Sequence, residues 1–244
     1  MSLLACIVLP TFNEAENVRE LIPAIFEQAG RIPTHDLHVL VVDDNSPDGT
    51  AGIVRELMNV YPNLHLISGE KKGLGEAYKR GIGYALREFQ PDLIFEMDAD
   101  LQHDPALLPL FVTLANSGFS LVIGSRFISG GQTPNFKWYR KLISLSGTRL
   151  VRLFGGIDAL TDCTSGYRCL KADVLAKCAL GGLATRGYSF QSALLCEMIR
   201  KGARVIEIPI VFKERKRGKS KLSLPDQIEF VIALLRLRMK SLNF

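Results

Sequence analysis

Short, continuous apolar segments alternate with segments of helical periodicity along the first half of the chain, and this alternation is what most constrains the fold. The apolar segments, at residues 5–9, 37–42, 64–68 and 93–97, do not alternate with polar residues as strands with one solvated face do. Strands that are buried on both faces and joined by helices are parallel. We therefore predict an α/β fold with a mostly parallel central sheet flanked by helices.

The intervening segments have helical signals. A first helix is predicted from Asn13, as its N-cap, to about residue 28, with an apolar face formed by Val18, Leu21, Ile22 and Ile25. Further helices are expected from near Thr50, from residues 69–75 to residue 89, and from Pro105. The glycines at 73 and 75 are read as a turn and helix start rather than a phosphate-binding loop, because the dinucleotide and P-loop spacings are absent.

Three polar segments, at residues 10–14, 43–48 and 98–102, each directly follow a predicted strand. In open parallel sheets, ligands bind at the carboxyl ends of the strands. We therefore expect these segments to line one crevice.

Asp98 and Asp100 are the sharpest chemical signal. If the backbone stays extended there, their Cα atoms lie about 6.5 to 7 Å apart on one side, where both carboxylates can hold one cation. Mg²⁺ and Mn²⁺ prefer such oxygen ligands, but Asp after a strand is also a common solvated turn residue, and spacing alone leaves both readings open. An acid and base pair is less favoured, since neighbours on one turn rarely have different pKa values.

The second half of the chain is more basic. Arg126 follows a predicted strand at residues 121–124, and Arg140 and Ser144 share one face of a predicted helix within 136–154. A guanidinium and a hydroxyl so placed can bind one phosphate, although a solvated basic helix edge fits equally well. Residues 162–168 lead into a strand or helix, a helix begins at 187 and reaches 201, and a strand follows at 205–212.

The charge and composition of the chain limit the kinds of partner that it can bind. The 244 residues carry a net charge of +5, and residues 213–221 hold six cations against one anion, which suits an anionic partner. Residues 225–240 have an amphipathic helical pattern, for which core packing and membrane docking remain open. No segment resembles a signal peptide or approaches the roughly 18 apolar residues of a membrane span. The five cysteines form no Cys-x-x-Cys pair, and we expect buried thiols in a reducing compartment.

Taken together, the motifs resemble those of family 2 glycosyltransferases, specifically the polyprenyl-phosphate (dolichyl-phosphate) mannosyltransferases. The motifs are Pro10-Thr-Phe-Asn-Glu14, Val42-Asp-Asp-Asn-Ser-Pro-Asp-Gly49, Gly73-Leu-Gly75, Met97-Asp-Ala-Asp-Leu-Gln-His103, Gly124-Ser-Arg-Phe127, Arg140-Lys-Leu-Ile-Ser144, Thr164-Ser-Gly166, Gly187-Tyr-Ser-Phe-Gln191, Phe212-Lys-Glu-Arg215 and Gly218-Lys-Ser-Lys-Leu222. The resemblance implies a GT-A fold. It divides the chain into a catalytic domain at 1–222, with a nucleotide-sugar half at 1–125 and an acceptor half at 126–222, and an amphipathic basic helix at 223–244.

The resemblance also implies residue roles. The residues implied to bind the nucleotide sugar are Pro10, Thr11, Asn13, Glu14, Asp44, Asp98, Ala99 and Asp100. The implied ligands of a Mg²⁺ or Mn²⁺ ion are Asp98, Asp100 and Gln102. Acceptor-phosphate binding falls on Arg126, Arg140, Ser144, Arg215 and Lys221, and the catalytic residues are Asp100, Arg126 and Arg215.

The implied reaction moves mannose from GDP-mannose to a polyprenyl phosphate with inversion, the alternative being another donor such as UDP-glucose. An acceptor phosphate is already ionised at neutral pH, so no histidine is needed as a base, and His103 is read as structural. The implied location is peripheral, at the cytoplasmic face of a membrane, where a membrane-anchoring partner protein is a further implied contact. Nucleic-acid binding through 213–221 is disfavoured, because the acidic loops would repel a phosphate backbone.

Overall fold

A computed structural model describes residues 3–134, 136, 138–157, 159–183, 187, 189–213 and 232. Its strands are β1 Leu3–Thr11, β2 His35–Asp43, β3 Leu64–Ser68, β4 Leu93–Glu96, β5 Leu121–Ser125, β6 Arg168–Lys171 and β7 Val205–Pro209. Its α-helices are α1 Ala15–Phe26, α2 Thr50–Met58, α3 Leu74–Glu88, α4 Leu108–Asn116, α5 Trp138–Gly155, α6 Ala172–Leu175 and α7 Ser189–Arg200. The predicted helix at 225–240 lies outside the described residues, apart from Ile232.

One sheet runs through the molecule in the order β3-β2-β1-β4-β6-β5-β7. All pairs are parallel except the two that β6 makes, with β4 and with β5, which are antiparallel. The predicted mostly parallel sheet is thus confirmed. The register of β6 places Arg168 opposite both Glu96 and Ile123. The residues that precede β6 therefore lie at the same edge as those that follow β4 and β5.

Helices cover both faces of the sheet, which explains the unalternated apolar strands. On one face, Cys6 and Val8 of β1 pack in a cluster with residues of α3, α5 and α7. On the other, Ile7 and Leu9 pack with residues of α1, α2 and α4. Each strand residue therefore buries its side chain whichever way it points. All five cysteines are buried and free, as predicted.

The predicted start of the first helix was wrong by one residue. Asn13 has a positive φ of 57°, its N–H donates to Ser46 Oγ at 3.0 Å, and the N-cap position falls to Glu14 without a side-chain capping bond. The tie to Ser46 turns the chain at Asn13 and delays the helix to Ala15. The apolar face of α1 is buried as predicted.

Two later boundaries also differ. Pro105 opens a short 3₁₀ helix, Pro105–Leu107, before α4 begins, and the Asp104 carboxylate caps it by accepting from Ala106 N–H at 3.0 Å. Strand β7 ends at Pro209 instead of running to residue 212, because its partner β5 ends opposite it at Ser125, and beyond that point Val211 forms an isolated parallel bridge with Gln132. In the part of the chain described, no helix is long and apolar enough to cross a membrane.

Candidate functional site

The ends of β1 and β2 build one side of a crevice at the carboxyl edge of the sheet. Thr11 and Asp43 are register partners, and Thr11 Oγ1 donates to the Asp43 carboxylate at 3.0 Å. Ser46 donates to the same carboxylate from its N–H at 2.9 Å and its hydroxyl at 2.6 Å. Asp43 is buried and both of its carboxylate oxygens accept hydrogen bonds, so it stabilises the loop.

Asp44 forms an ion pair with Arg80 of α3, whose Nη2 lies 2.6 Å from Asp44 Oδ1. Burial raises the pKa of Asp44 above its ordinary value, and the adjacent guanidinium opposes this only in part. Gly69 makes room for the pair, because a Cβ there would lie 2.8 Å from Arg80 Cζ. No sequence motif pointed to Arg80, which lies 36 residues from its partner.

The first loop is tied to the second. The backbone N–H of Glu14 donates to Thr50 Oγ1 at 3.1 Å, and Glu14 Oε2 accepts from Asn17 at 2.6 Å. Lys71 Nζ, from the glycine-rich segment, lies 3.5 Å from the centroid of the Phe12 ring. The predicted residues Pro10, Thr11, Asn13, Glu14 and Asp44 thus come from two loops held together by hydrogen bonds.

The Asp98–Gln102 turn is not an extended continuation of β4. The strand ends at Glu96 and the chain bends from Ala99 to Leu101, where φ is positive at 64°, so the pleat does not set the separation of the two aspartates. Tyr78 OH of α3 donates to Asp98 Oδ1 at 3.1 Å, and Asp100 Oδ1 accepts from Gln102 N–H at 3.1 Å. The extended backbone on which the Asp98–Asp100 separation was conditioned is therefore not found.

Gln102 has a second contact that the sequence did not indicate. Its Nε2 donates to the carbonyl of Lys213 at 2.7 Å, across 111 residues. Lys213 Nζ in turn lies 2.9 Å from Asp104 Oδ2. The predicted metal turn thereby holds the segment that leads to Arg215 and Lys221, which are themselves outside the described residues.

His103 is buried beside the Asp98–Gln102 turn and stabilises it. It is 2% exposed, stacks on Tyr167 at 4.8 Å between ring centroids, and its Nδ1 accepts from Asp98 N–H at 3.1 Å. Burial lowers the pKa of His103 to about 4, with the Asp100 charge opposing and the Arg126 charge reinforcing the shift. A neutral, buried ring agrees with the structural reading of His103.

The turn suits a hard divalent cation by its chemistry. Asp98 and Asp100 supply carboxylate oxygens, and Gly166 lies close to one of them, since a Cβ there would lie 3.4 Å from Asp98 Oδ2. Across the described ranges, no group of three or more His, Cys, Asp or Glu residues converges to hold a metal. A cation here would thus need oxygen ligands beyond the two aspartates.

Among the residues predicted to bind the acceptor phosphate, Arg126 follows β5 and is largely buried. Its Nε and Nη2 donate to the two Asp162 oxygens at 2.6 and 2.8 Å, and Nη2 also donates to Thr164 Oγ1 at 2.7 Å. Arg140 and Ser144 lie half-buried on α5, with the Arg140 guanidinium 4.9 Å from the Phe136 ring centroid. Asp162 is a site residue that sequence reasoning treated only as part of a turn.

A mostly parallel α/β sheet with acidic loops at its carboxyl edge and arginines beside them is the arrangement expected of a GT-A glycosyltransferase. Residues 6–177 match the family described as glycosyl transferase family 2, and the chain belongs to this family. The chain is 36% identical to polyprenol monophosphomannose synthase of Mycolicibacterium smegmatis, covering 89% of this chain and 80% of that protein. It is 38% identical to undecaprenyl-phosphate mannosyltransferase of Micrococcus luteus, covering 88% and 86%.

A third relative is longer than this chain. Dolichol-phosphate mannosyltransferase of Pyrococcus furiosus is 33% identical over 95% of this chain, which spans 62% of that protein. The predicted resemblance is thus confirmed.

Solved structures agree on the fold. Glucosyl-3-phosphoglycerate synthase from Mycobacterium tuberculosis, with Mn²⁺, uridine diphosphate and phosphoglyceric acid, has a TM-score of 0.71 at 17% identity, covering 96% of this chain and 78% of that chain. Mannosyl-3-phosphoglycerate synthase from Rubrobacter xylanophilus has a TM-score of 0.68 at 22% identity, covering 98% and 74%.

Proposed function

We propose that this glycosyltransferase moves mannose from GDP-mannose to a polyprenyl phosphate, with inversion at the anomeric carbon. The observation that carries the proposal is that all three relatives, at 33%, 36% and 38% identity, are named as enzymes that join mannose to a polyprenyl-type phosphate. Another donor, such as UDP-glucose, is the alternative within the same enzyme class. The nucleotide-sugar half would be residues 1–125 and the acceptor half 126–222.

The two joined loops would hold the nucleoside. Pro10, Thr11, Asn13, Glu14 and Asp44 are the proposed contacts. The hydrogen bonds from Asn13 N–H to Ser46 and from Glu14 N–H to Thr50 preset the crevice before substrate arrives. Arg80 holds the Asp44 carboxylate in place, so the carboxylate can accept further hydrogen bonds only from a fixed direction. Such preset polar groups favour one nucleobase over another by hydrogen bonding.

The Asp98–Gln102 turn would hold the diphosphate end of the donor. Asp98 and Asp100, with Ala99 between them and Gln102 after them, would hold Mg²⁺ or Mn²⁺, which when bound supplies positive charge against the leaving diphosphate. Tyr78 orients the Asp98 carboxylate by its hydrogen bond. The Gln102 amide nitrogen is used by Lys213, so a role for Gln102 at the cation would fall to its side-chain oxygen.

Arg126, Arg140 and Ser144 would receive the acceptor phosphate, joined by Arg215 and Lys221. A phosphate monoester has a second pKa of about 6, so its oxygen is already ionised at neutral pH and attacks without a general base. The arginines would position this nucleophile in line with the anomeric carbon. A single displacement gives the inverted product.

We further propose that the chain works at the cytoplasmic surface of a membrane, with or without an anchoring partner protein. The start of α5 supports this, because it exposes apolar side chains beside cations: Trp138 is 77% exposed and Leu142 is 54% exposed, with Lys141 between them. Aromatic and aliphatic residues with basic neighbours suit an anionic lipid interface.

The test is transfer by the purified protein to a short polyprenyl phosphate from radiolabelled GDP-mannose or UDP-glucose, with Mn²⁺ or with chelator. Mannosyl lipid formed only with cation is expected, and its anomeric configuration is read by NMR. Asp100→Ala should lower the rate by about a hundredfold or more, a typical loss when a catalytic electrostatic contact is removed. Asp173→Ala on α6 is the matched control. Glucosyl transfer alone would replace the proposed donor, and full activity of Asp100→Ala in chelator would overturn the cation site.

A further inference from the structure

We infer that Asp162 and Glu207 are positioning residues that hold Arg126 in the orientation the acceptor phosphate meets. The inference rests on the proposed function, since Arg126 is proposed there as an acceptor-phosphate ligand. Nothing in the sequence motifs assigns a role to Glu207, which lies in the middle of β7.

The first step concerns the hydrogen bonds by which Asp162 holds Arg126. The fully buried Asp162 side chain accepts five hydrogen bonds: from Arg126 N–H at 3.1 Å, Nε at 2.6 Å and Nη2 at 2.8 Å, and from Thr164 N–H at 3.3 Å and Oγ1 at 3.1 Å. A carboxylate bound to both Nε and Nη2 fixes the plane of a guanidinium. The third nitrogen, Nη1, is then directed away from Asp162.

The second step concerns the hydrogen bonds by which Glu207 holds the backbone at Asp162. Glu207 Oε1 accepts from Asp162 N–H at 2.8 Å, and Oε2 accepts from Thr161 N–H at 2.8 Å and Oγ1 at 3.0 Å. Thr161 Oγ1 also lies 2.7 Å from Ser125 Oγ, directly before Arg126. The loop ahead of β6 is therefore clamped to β7 through one carboxylate.

The third step is the place of this loop in the site. Four residues beyond Asp162, Gly166 lies against the Asp98 carboxylate, as its 3.4 Å Cβ approach shows. The charges of Asp100, Arg126 and Asp162 all act on His103. One short segment thus contacts Arg126 at one end and the proposed cation turn at the other, so clamping it sets their separation.

The test is Glu207→Gln, which keeps the side-chain shape but replaces one acceptor oxygen by an amide nitrogen that faces a backbone N–H. We expect the KM for polyprenyl phosphate to rise about tenfold, as for loss of a hydrogen bond to a charged group, while the KM for GDP-mannose stays unchanged. Glu197→Gln on α7 is the matched control and should behave as wild type. In an Arg126→Ala background, Glu207→Gln should have no further effect on the acceptor KM.

An effect of equal size in both backgrounds, or an equal rise in the donor KM, would show a merely structural role and overturn the inference. If Glu207→Gln does not fold, Thr161→Val removes one of the same bonds more mildly and should change the acceptor KM in the same direction; no change there also overturns it.

A substrate-free readout separates this inference from the proposed function. The Arg126 Nε–H signal in a ¹⁵N NMR spectrum, identified by its loss in Arg126→Lys, should exchange with water at least about tenfold faster in Glu207→Gln than in Glu197→Gln. Unchanged exchange would refute the positioning role even if transfer fails, whereas a wild-type protein inactive on every polyprenyl phosphate would refute the proposed function alone.

Discussion

Gly81 of α3 is where a single added methyl group should do most harm to the fold. A Cβ at this position would lie 2.5 Å from Val8 Cγ1 and 2.6 Å from Val42 Cγ2. Both valines are fully buried on adjacent central strands, so neither can move aside freely. Helix α3 also carries Tyr78 and Arg80, which contact Asp98 and Asp44. Gly81→Ala should therefore push α3 off the sheet and disturb both loops.

The magnitude follows from two opposing effects. Overpacking in a well-packed core costs about 1 to 3 kcal/mol, while alanine in a helix gains about 1 kcal/mol over glycine. With contacts this short on two rigid neighbours, we expect Gly81→Ala to lower the free energy of unfolding by about 1 to 2 kcal/mol. Gly83→Ala is the control, since among the described residues its Cβ would meet just the flexible Arg87 side chain, at 3.4 Å. It should gain about 0.5 to 1 kcal/mol.

Urea unfolding followed by circular dichroism measures both variants, and thermal unfolding should shift by about 2 to 4 °C per kcal/mol for a chain of this size. The reasoning is refuted if Gly81→Ala is as stable as Gly83→Ala, because the close approach of α3 to β1 and β2 would then not constrain the helix. Gly81→Ala should also lower transferase activity more than Gly83→Ala does.

Two further predictions concern single contacts. Tyr78→Phe removes the hydroxyl that donates to Asp98, and the Mn²⁺ concentration for half-maximal transfer should rise about tenfold, the low end of the loss expected when a group that hydrogen-bonds to a metal ligand is removed; an unchanged titration curve would contradict it. His38 Nδ1 lies 3.0 Å from His65 Nε2, and burial lowers the pKa of both histidines below 6.5. Since the unfolded chain then binds more protons, this contribution to stability is complete above about pH 6.5 and is lost as pH falls toward the folded pKa values. Urea midpoints at pH 7.5 and 5.5 should therefore differ less in His65→Phe, which keeps the ring packing on Phe89, than in wild type; equal differences would count against the histidine pair.

The strand and helix pattern of the first half was readable from the sequence because hydrophobic periodicity is local. Residues 64–68 form β3 as predicted, and the buried face of α1 is the one its spacing indicated. Since the strands are parallel, their carboxyl ends had to share one edge, so the gathering of the acidic loops was also predictable. The family motifs added residue roles that spacing alone left open.

What only the tertiary structure decided are the pairings between distant residues. The antiparallel insertion of β6 between β4 and β5 brings Asp162 beside Arg126 and Gly166 beside Asp98, and a turn of Asp, Thr, Ser and Gly carries no local sign of its partner strand. Tyr78, Arg80 and Glu207 likewise reach the loops from elements 20, 36 and 45 residues away from their partners. Local sequence sets the direction of a backbone over a few residues, but such contacts depend on how whole elements pack. The chain itself determined where the acids would collect, and packing determined which side chains hold them.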